Sequence, residues 1–241
     1  MNQIVTVIPI SNVAMSFLPL AVIAWFMWRW SMPTRVIGFA SARMLVQLVL
    51  IGYVLTALFS TEHFLVVSGV LIVMLAASSW IALRPLGGFT RQRYFIALGA
   101  ISLGSLSTLA LVLLAVLETD PWFNPRIAIP IAGMIFSSAM NTVSLAADRL
   151  DAEIRQGTSF GAARPVAFNA AMIPMLNSFF AVGLVTLPGM MTGQILSGVE
   201  PHIAVRYQIV VMCMTFGASG LSAIAYFALC TKPTPRAAPN R

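Results

Sequence analysis

Seven carboxylates are available to this chain: Glu62, Glu118, Asp120, Asp148, Asp151, Glu153 and Glu200. Each lies at the edge of an apolar run or between two runs, never in the middle of one. Carriers driven by protons or sodium keep an ionisable group at membrane depth to hold the coupling ion. Intramembrane hydrolases need a nucleophile with its base, or two carboxylates, at that depth. The chain offers neither arrangement. It also has no Gly-x-x-x-x-Gly-Lys-Ser/Thr stretch to cradle a nucleotide, and no His-Glu-x-x-His or paired-cysteine motif to hold a metal. His63 and His202 lie in connections between apolar runs, and Cys213 and Cys230 stand seventeen positions apart on different helix faces. The expectation is a protein that is not an enzyme, has no catalytic residue and no cofactor, and draws its energy from elsewhere.

The donors left within the apolar runs are neutral. Asn141 and Asn177 each carry an amide into a predicted span, and fourteen methionines supply thioethers, Met134, Met140, Met172, Met175, Met190 and Met191 among them. Thioethers are soft ligands suited to Cu(I) and poorly suited to Fe(III), but flexible apolar packing explains most methionines. Arg43 and Gln47 share a helix face at i,i+4, which fits an arginine snorkelling to an interface with a hydrogen-bonding neighbour.

The elements that must position these groups follow from composition. Apolar residues make up 59% of the 241 and charged residues 9%, with a mean hydropathy of +0.90. Soluble domains carry about 25% charged residues, so the medium around this chain is lipid. Lipid offers no partners to free backbone groups, and the apolar runs must cross as helices. Seven spans are predicted, at about 9–28, 40–59, 64–83, 94–117, 127–147, 166–187 and 203–230. The fold class expected is an all-α polytopic bundle forming one permease-sized domain over 1–230, with a disordered basic tail at 231–241. Twelve basic residues fall on one side of these spans, and only Arg126 and Arg206 on the other. By the positive-inside rule the amino terminus is outside and the carboxyl terminus cytoplasmic, which requires an odd number of spans. The net charge of +7 reads as orientation and headgroup contact, not as nucleic-acid binding. No secretory signal is predicted, since the first basic residue is Arg29.

Three stretches stand out. In 177–201, Pro188 and Gly189 are expected to stop a helix near the outer face. Gly193 and Gly198 then permit a tight re-entry or a short interfacial segment. This stretch is either an external connector or an outer gate, with Asn141, Asn177, Pro188, Gly189, Met190, Met191, Gly193 and Gln194 as translocation or gate candidates. In 130–145, Gly133, Ser137 and Ser138 permit close helix approach, for packing or dimerisation. The cytoplasmic connection 148–165 should begin as a helix, with Asp151 and Arg155 at i,i+4 and an apolar stripe of Ala147, Leu150 and Ile154, ended by Gly157.

Four strings, Ala42-Arg-Met-Leu-Val-Gln-Leu-Val-Leu-Ile-Gly-Tyr-Val-Leu55, Pro130-Ile-Ala-Gly-Met134, Gly183-Leu-Val-Thr-Leu-Pro-Gly-Met-Met-Thr-Gly193 and Pro201-x-x-Ala-Val-Arg-Tyr-Gln208, are similar to one family. It comprises FetB-like bacterial iron-export permeases and plant aluminium-tolerance membrane proteins. The resemblance implies the permease subunit of an ATP-binding-cassette (ABC) transporter in the bacterial inner membrane. Such a subunit would work as a homodimer with a separate cytosolic ATPase and export iron or a related metal. One departure concerns coupling: of the longer cytoplasmic segment that docks the ATPase in such permeases, only Ser159-Phe-Gly-Ala162 has a counterpart here. Asp148, Asp151, Arg155, Phe160 and Gly161 are the coupling candidates that remain. Two other classes stay open: an ATP-independent channel or carrier, and a non-transporting membrane scaffold or sensor.

Overall fold

The computed structural model describes residues 8–60, 63–86 and 90–230; the predicted basic tail lies outside them. The protein is all-α. Among the described residues it runs through α1 (Ile10–Met15), α2 (Leu18–Arg29), α3 (Arg35–Phe59), α4 (Phe64–Ala82), α5 (Arg91–Leu111), α6 (Pro125–Arg155), α7 (Phe160–Ala181), α8 (Gly189–Leu196) and α9 (Pro201–Leu229). Among the described residues, six helical stretches are long and apolar enough to cross a bilayer: 10–29, 35–59, 64–86, 91–116, 125–155 and 201–229.

The predicted spans differ from the helices where proline or polar residues intervene. The first run is divided between α1 and α2, because Pro19 has no N–H to give the carbonyl four residues before it. The run expected at 166–187 is α7, which begins six residues earlier and stops at Ala181. At 22 residues α7 is about 33 Å long, enough for the ~30 Å of a hydrocarbon core. Arg164, Asn169 and Asn177, with Pro165 and Pro174, keep it out of the six most apolar stretches. Past Leu111, α5 widens into a π-helical turn over Val112–Val116, where Thr119 Oγ1 donates to the Leu113 carbonyl at 2.8 Å.

The chain divides into two compact units, residues 1–61 and 62–241. In the first, none of α1, α2 or α3 has a buried residue, and most of their large apolar side chains are exposed. That is how helices look when lipid or another chain is their solvent.

The second unit has a packed core. α5 and α9 run antiparallel in its centre: Gly99 lies against the Leu229 side chain, and five residues on, Gly104 lies against Ser222. At Gly104 the backbones nearly touch, since a Cβ there would stand 2.4 Å from the Ser222 nitrogen and 2.8 Å from its Cα. The seam is made of small and hydroxylated residues. Ser105, Ser219, Ser222, Ala100, Ala218 and Ala223 are all fully buried. Close approach through small side chains is how helices pack when lipid removes the hydrophobic advantage of large ones. α6 packs against α4, α5, α7 and α9, with Ile135, Phe136, Ala139 and Val143 buried.

Candidate functional site

The ends of the second unit differ in charge. Arg93 at the start of α5 is buried and grips Asp151 of α6 with both terminal guanidinium nitrogens, at 2.9 and 3.3 Å. A bidentate, charge-assisted pair of this kind fixes both helix ends in orientation as well as distance. It sets the start of α5 beside the end of α6, and the antiparallel seam sets the end of α9 there too. Arg84, Arg91, Arg149, Arg155 and Arg164 gather at the same end, whereas Arg126 and Arg206 begin α6 and α9 at the other. α7 therefore starts at the arginine-rich end and leads back to the opposite one.

The connection 148–165 is helical through Arg155, as expected, but as a continuation of α6 and not as a separate helix. At 31 residues α6 is about 46 Å long and outruns a ~30 Å hydrocarbon layer. Leu150 and Ala147 are buried, in line with the apolar stripe. The side-chain pair of Asp151 with Arg155 does not form. The Asp151 carboxylate is committed to Arg93, and Arg155 Nε donates instead to the Asp151 carbonyl at 3.1 Å. Glu153 pairs with Arg149 and accepts from Thr158 Oγ1. Gly157, at φ +88, ends the helix, and the Thr158 N–H reaches back to the Glu153 carbonyl. Asp148 and Arg155 are exposed, as is Gly161, while Asp151 and Phe160 are half-buried. The Arg164 guanidinium sits 5.4 Å from the centre of the Phe160 ring. Beside it opens a groove lined by Gly161, Arg164, Pro165 and Phe168 of α7 and Ile224, Phe227 and Ala228 of α9.

At the opposite end the helix preceding the Leu187-Pro188-Gly189 string stops earlier than expected. After Ala181 the chain makes a compact turn, in which the N–H groups of Leu184, Val185 and Thr186 all converge on the Ala181 carbonyl. Gly183, at φ +82, supplies the left-handed residue this turn needs. Pro188 then caps the start of α8 and does not end a preceding helix. Its carbonyl accepts from the Thr192 N–H at 2.9 Å and from Thr192 Oγ1 at 3.1 Å. Gly198, at φ +92, closes α8, with the Val199 N–H bonded to the Gln194 carbonyl. The predicted short segment between Gly193 and Gly198 is the second half of this eight-residue helix.

Between the end of α7, this turn, α8 and α9 lies a cavity of about 370 Å³. Phe179, Val182, Leu187, Val205 and Ile209 give it apolar walls, and Pro188, Met191, Gln208, Met212 and Cys213 complete much of the rest. Gln208 is 6% exposed and its Oε1 accepts no hydrogen bond; Gln194 Oε1 on α8 is likewise buried without a donor. The structure brings together Pro188 and Met191 of the gate candidates. Gly189 and Gly193 lie on the exposed side of α8, and Met190 is half-buried. Asn141 and Asn177 both sit on exposed helix faces away from this cavity. Of the packing candidates, Gly133 faces the Met74 methyl group, Ser138 is half-buried, and Ser137 is exposed with its hydroxyl turned back to the Met134 carbonyl.

Sequence reasoning missed Arg93, which reads as one more basic residue at a span edge until Asp151 is seen opposite it. It also missed Gln208, Met212 and Cys213. Their signal is the i,i+4 spacing of Gln208 with Met212 directly after the Pro201-x-x-Ala-Val-Arg-Tyr string.

The profile of Uncharacterised protein family UPF0014 matches residues 10–234. A UPF0014 membrane protein of Synechocystis is 32% identical over 222 residues, covering 85% of each chain. The Escherichia coli protein named as the probable iron export permease FetB is 33% identical, over 76% of this chain and 74% of its own. The Arabidopsis thaliana protein ALUMINUM SENSITIVE 3 is 32% identical, over 80% and 74%. No solved structure matches. With its helices built around the same strings that carry the resemblance, this chain belongs to the UPF0014 family of multi-pass membrane proteins, the family of the FetB-like permeases.

Proposed function

We propose that this chain is the permease subunit of an ABC exporter for iron or a related metal, acting as a homodimer with two copies of a cytosolic ATPase in a bacterial inner membrane. It is itself no enzyme; ATP is hydrolysed by the partner. Seven spans cross the bilayer, with α1 and α2 together as the first and α7 as the sixth. The amino terminus is outside and the arginine-rich end faces the cytosol. Iron as cargo comes from the name of the E. coli relative.

The observation that carries this reading is the build of α6. It projects beyond a membrane's thickness at the basic end and is clamped there to α5 by the buried Arg93–Asp151 pair. A force applied to the projecting turns, at Asp148, Arg155 or the groove beside Phe160, would be carried by a rigid body and not absorbed by a loose loop. α6 packs against α9, and α9 packs against α8 and lines the cavity at the far end. ATP-driven closure of the ATPase pair would tilt α6 and α7, and the 188–198 segment would open outward. This is alternating access through a two-state interface.

The test is co-purification of the chain with its ATPase, followed by metal transport in vesicles. Substituting Phe160 with Asp148 and Arg155 should lower ATPase retention while the fold is kept. Full retention with all three changed would contradict the docking assignment. Metal content of cells with and without the gene, under iron, copper and aluminium stress, identifies the cargo.

A further inference from the structure

We propose that the cavity under α8 is a binding site for a soft monovalent cation, Cu(I) or Ag(I), held by Met191, Met212 and Cys213 with the amide of Gln208 as a fourth donor. The proposal does not depend on the transport reading.

Three of the cavity's lining residues carry sulfur, and they come from two different helices: Met191 from α8, Met212 and Cys213 from α9. Gln208 and Met212 stand at i,i+4 on α9, one turn apart on one face, with Met191 supplied from α8. Gln208 is the one strongly polar residue among those lining the cavity. Its side chain is 6% exposed, and Oε1 is buried with no donor. A buried amide oxygen without a partner carries its full desolvation penalty, so a site that leaves one empty-handed gains when a cation or donor arrives.

The chemistry selects the class of ion. Hard cations must exchange a tightly held hydration shell for charged oxygen ligands. No carboxylate lines the cavity, and among the described residues no group of three His, Cys, Asp or Glu could hold a metal. Thioethers and a thiolate suit a d10 monovalent ion, whose bonds to sulfur do not require a charged cage. As the ion binds, the Cys213 thiol gives its proton to water and the metal–sulfur bond replaces the S–H bond, so that the bound site carries no net charge. Methionine has three rotatable bonds, which lets Met191 and Met212 swing inward into the cavity of about 370 Å³.

The test uses the full chain, purified in nanodiscs under anaerobic reducing conditions, with Cu(I) titrated against a chromophoric Cu(I) chelator. A single tight equivalent is expected. The double substitution M191L/M212L conserves volume and should weaken it by about a hundredfold, C213S by about as much, and Q208L by about tenfold. C230S should leave it unchanged, and Fe(II) should not displace the ion. Unaltered affinity in M191L/M212L would overturn the site. Copper-edge X-ray absorption of the unsubstituted chain gives an independent reading: sulfur neighbours are expected, and a shell of nitrogen and oxygen alone would overturn the proposal even if a variant misfolds.

Discussion

Helix α9 meets two very different neighbours. Along α5 it is packed backbone against backbone, with Gly104 on Ser222 and no room for a methyl group. Toward α7 and α8 it is held off by a cavity, with the aromatic contact of Phe179 and Phe216, at 4.7 Å between ring centres, just below. The seam is rigid because small residues let peptide planes approach, and a packed interior does not deform continuously. The α7–α8 side has a turn, a short helix and unpaired amides, the features of a part that has more than one arrangement. A helix packed tightly against α5 and loosely toward α8 is a fulcrum.

The largest effect that would break this contrast is at Gly104. Gly104→Val should prevent recovery of monodisperse protein, because the atoms it meets are the Ser222 backbone and cannot step aside. Even Gly104→Ala should cost about 1–3 kcal/mol, read as a lower melting temperature in detergent. Gly217→Ala, on the same helix with nothing within 4 Å, should be neutral or stabilising by up to about 1 kcal/mol. Equal responses at the two glycines would remove the distinction between seam and free face.

Next in size is the clamp at the arginine-rich end. Arg93→Met leaves the Asp151 carboxylate half-buried and alone, a loss of about 3 kcal/mol. The charge-swapped pair R93D/D151R should recover part of that in melting temperature and in ATPase coupling. If it recovers neither, the pair is not the link between α5 and α6.

Filling the cavity separates stability from motion. Val205→Phe should change melting by less than about 1 kcal/mol, since Val205 is partly exposed and the space exists. Transport should nevertheless fall sharply, because the moving side is jammed. A modest effect on stability alone belongs to Gly198→Ala, where a side chain at φ +92 costs about 1 kcal/mol and loosens the end of α8. A rise in stability there would mean the cap is already frayed.

Much of this architecture was legible from residue order. Apolar run length located the long helices, most of their ends to within five residues and those of α7 and the end of α6 to within eight, because hydrogen bonding within a helix lets such runs cross lipid. Gly157 could be read as a stop because glycine takes the left-handed conformation that commonly closes a helix, whereas Gly198 was read as part of a re-entry or interfacial segment and closes α8. Pro188 was read the wrong way round: proline ends one helix or begins the next, and only the turn at 182–186 decides which. Arg93 with Asp151 and Gly104 with Ser222 join residues far apart in sequence, and nothing local marks them. The cavity was half visible. Met190 and Met191 drew notice, but the lining partners Gln208, Met212 and Cys213 lie on the next helix and meet Met191 only in three dimensions.

On the proposed reading, this bundle is driven by a nucleotide-hydrolysing partner on its arginine-rich side. Reconstitution of the purified chain into liposomes tests it directly. Metal movement against a gradient is predicted only when the cytosolic ATPase and ATP are present. Uphill transport by the chain alone, driven by a proton or sodium gradient, would contradict it.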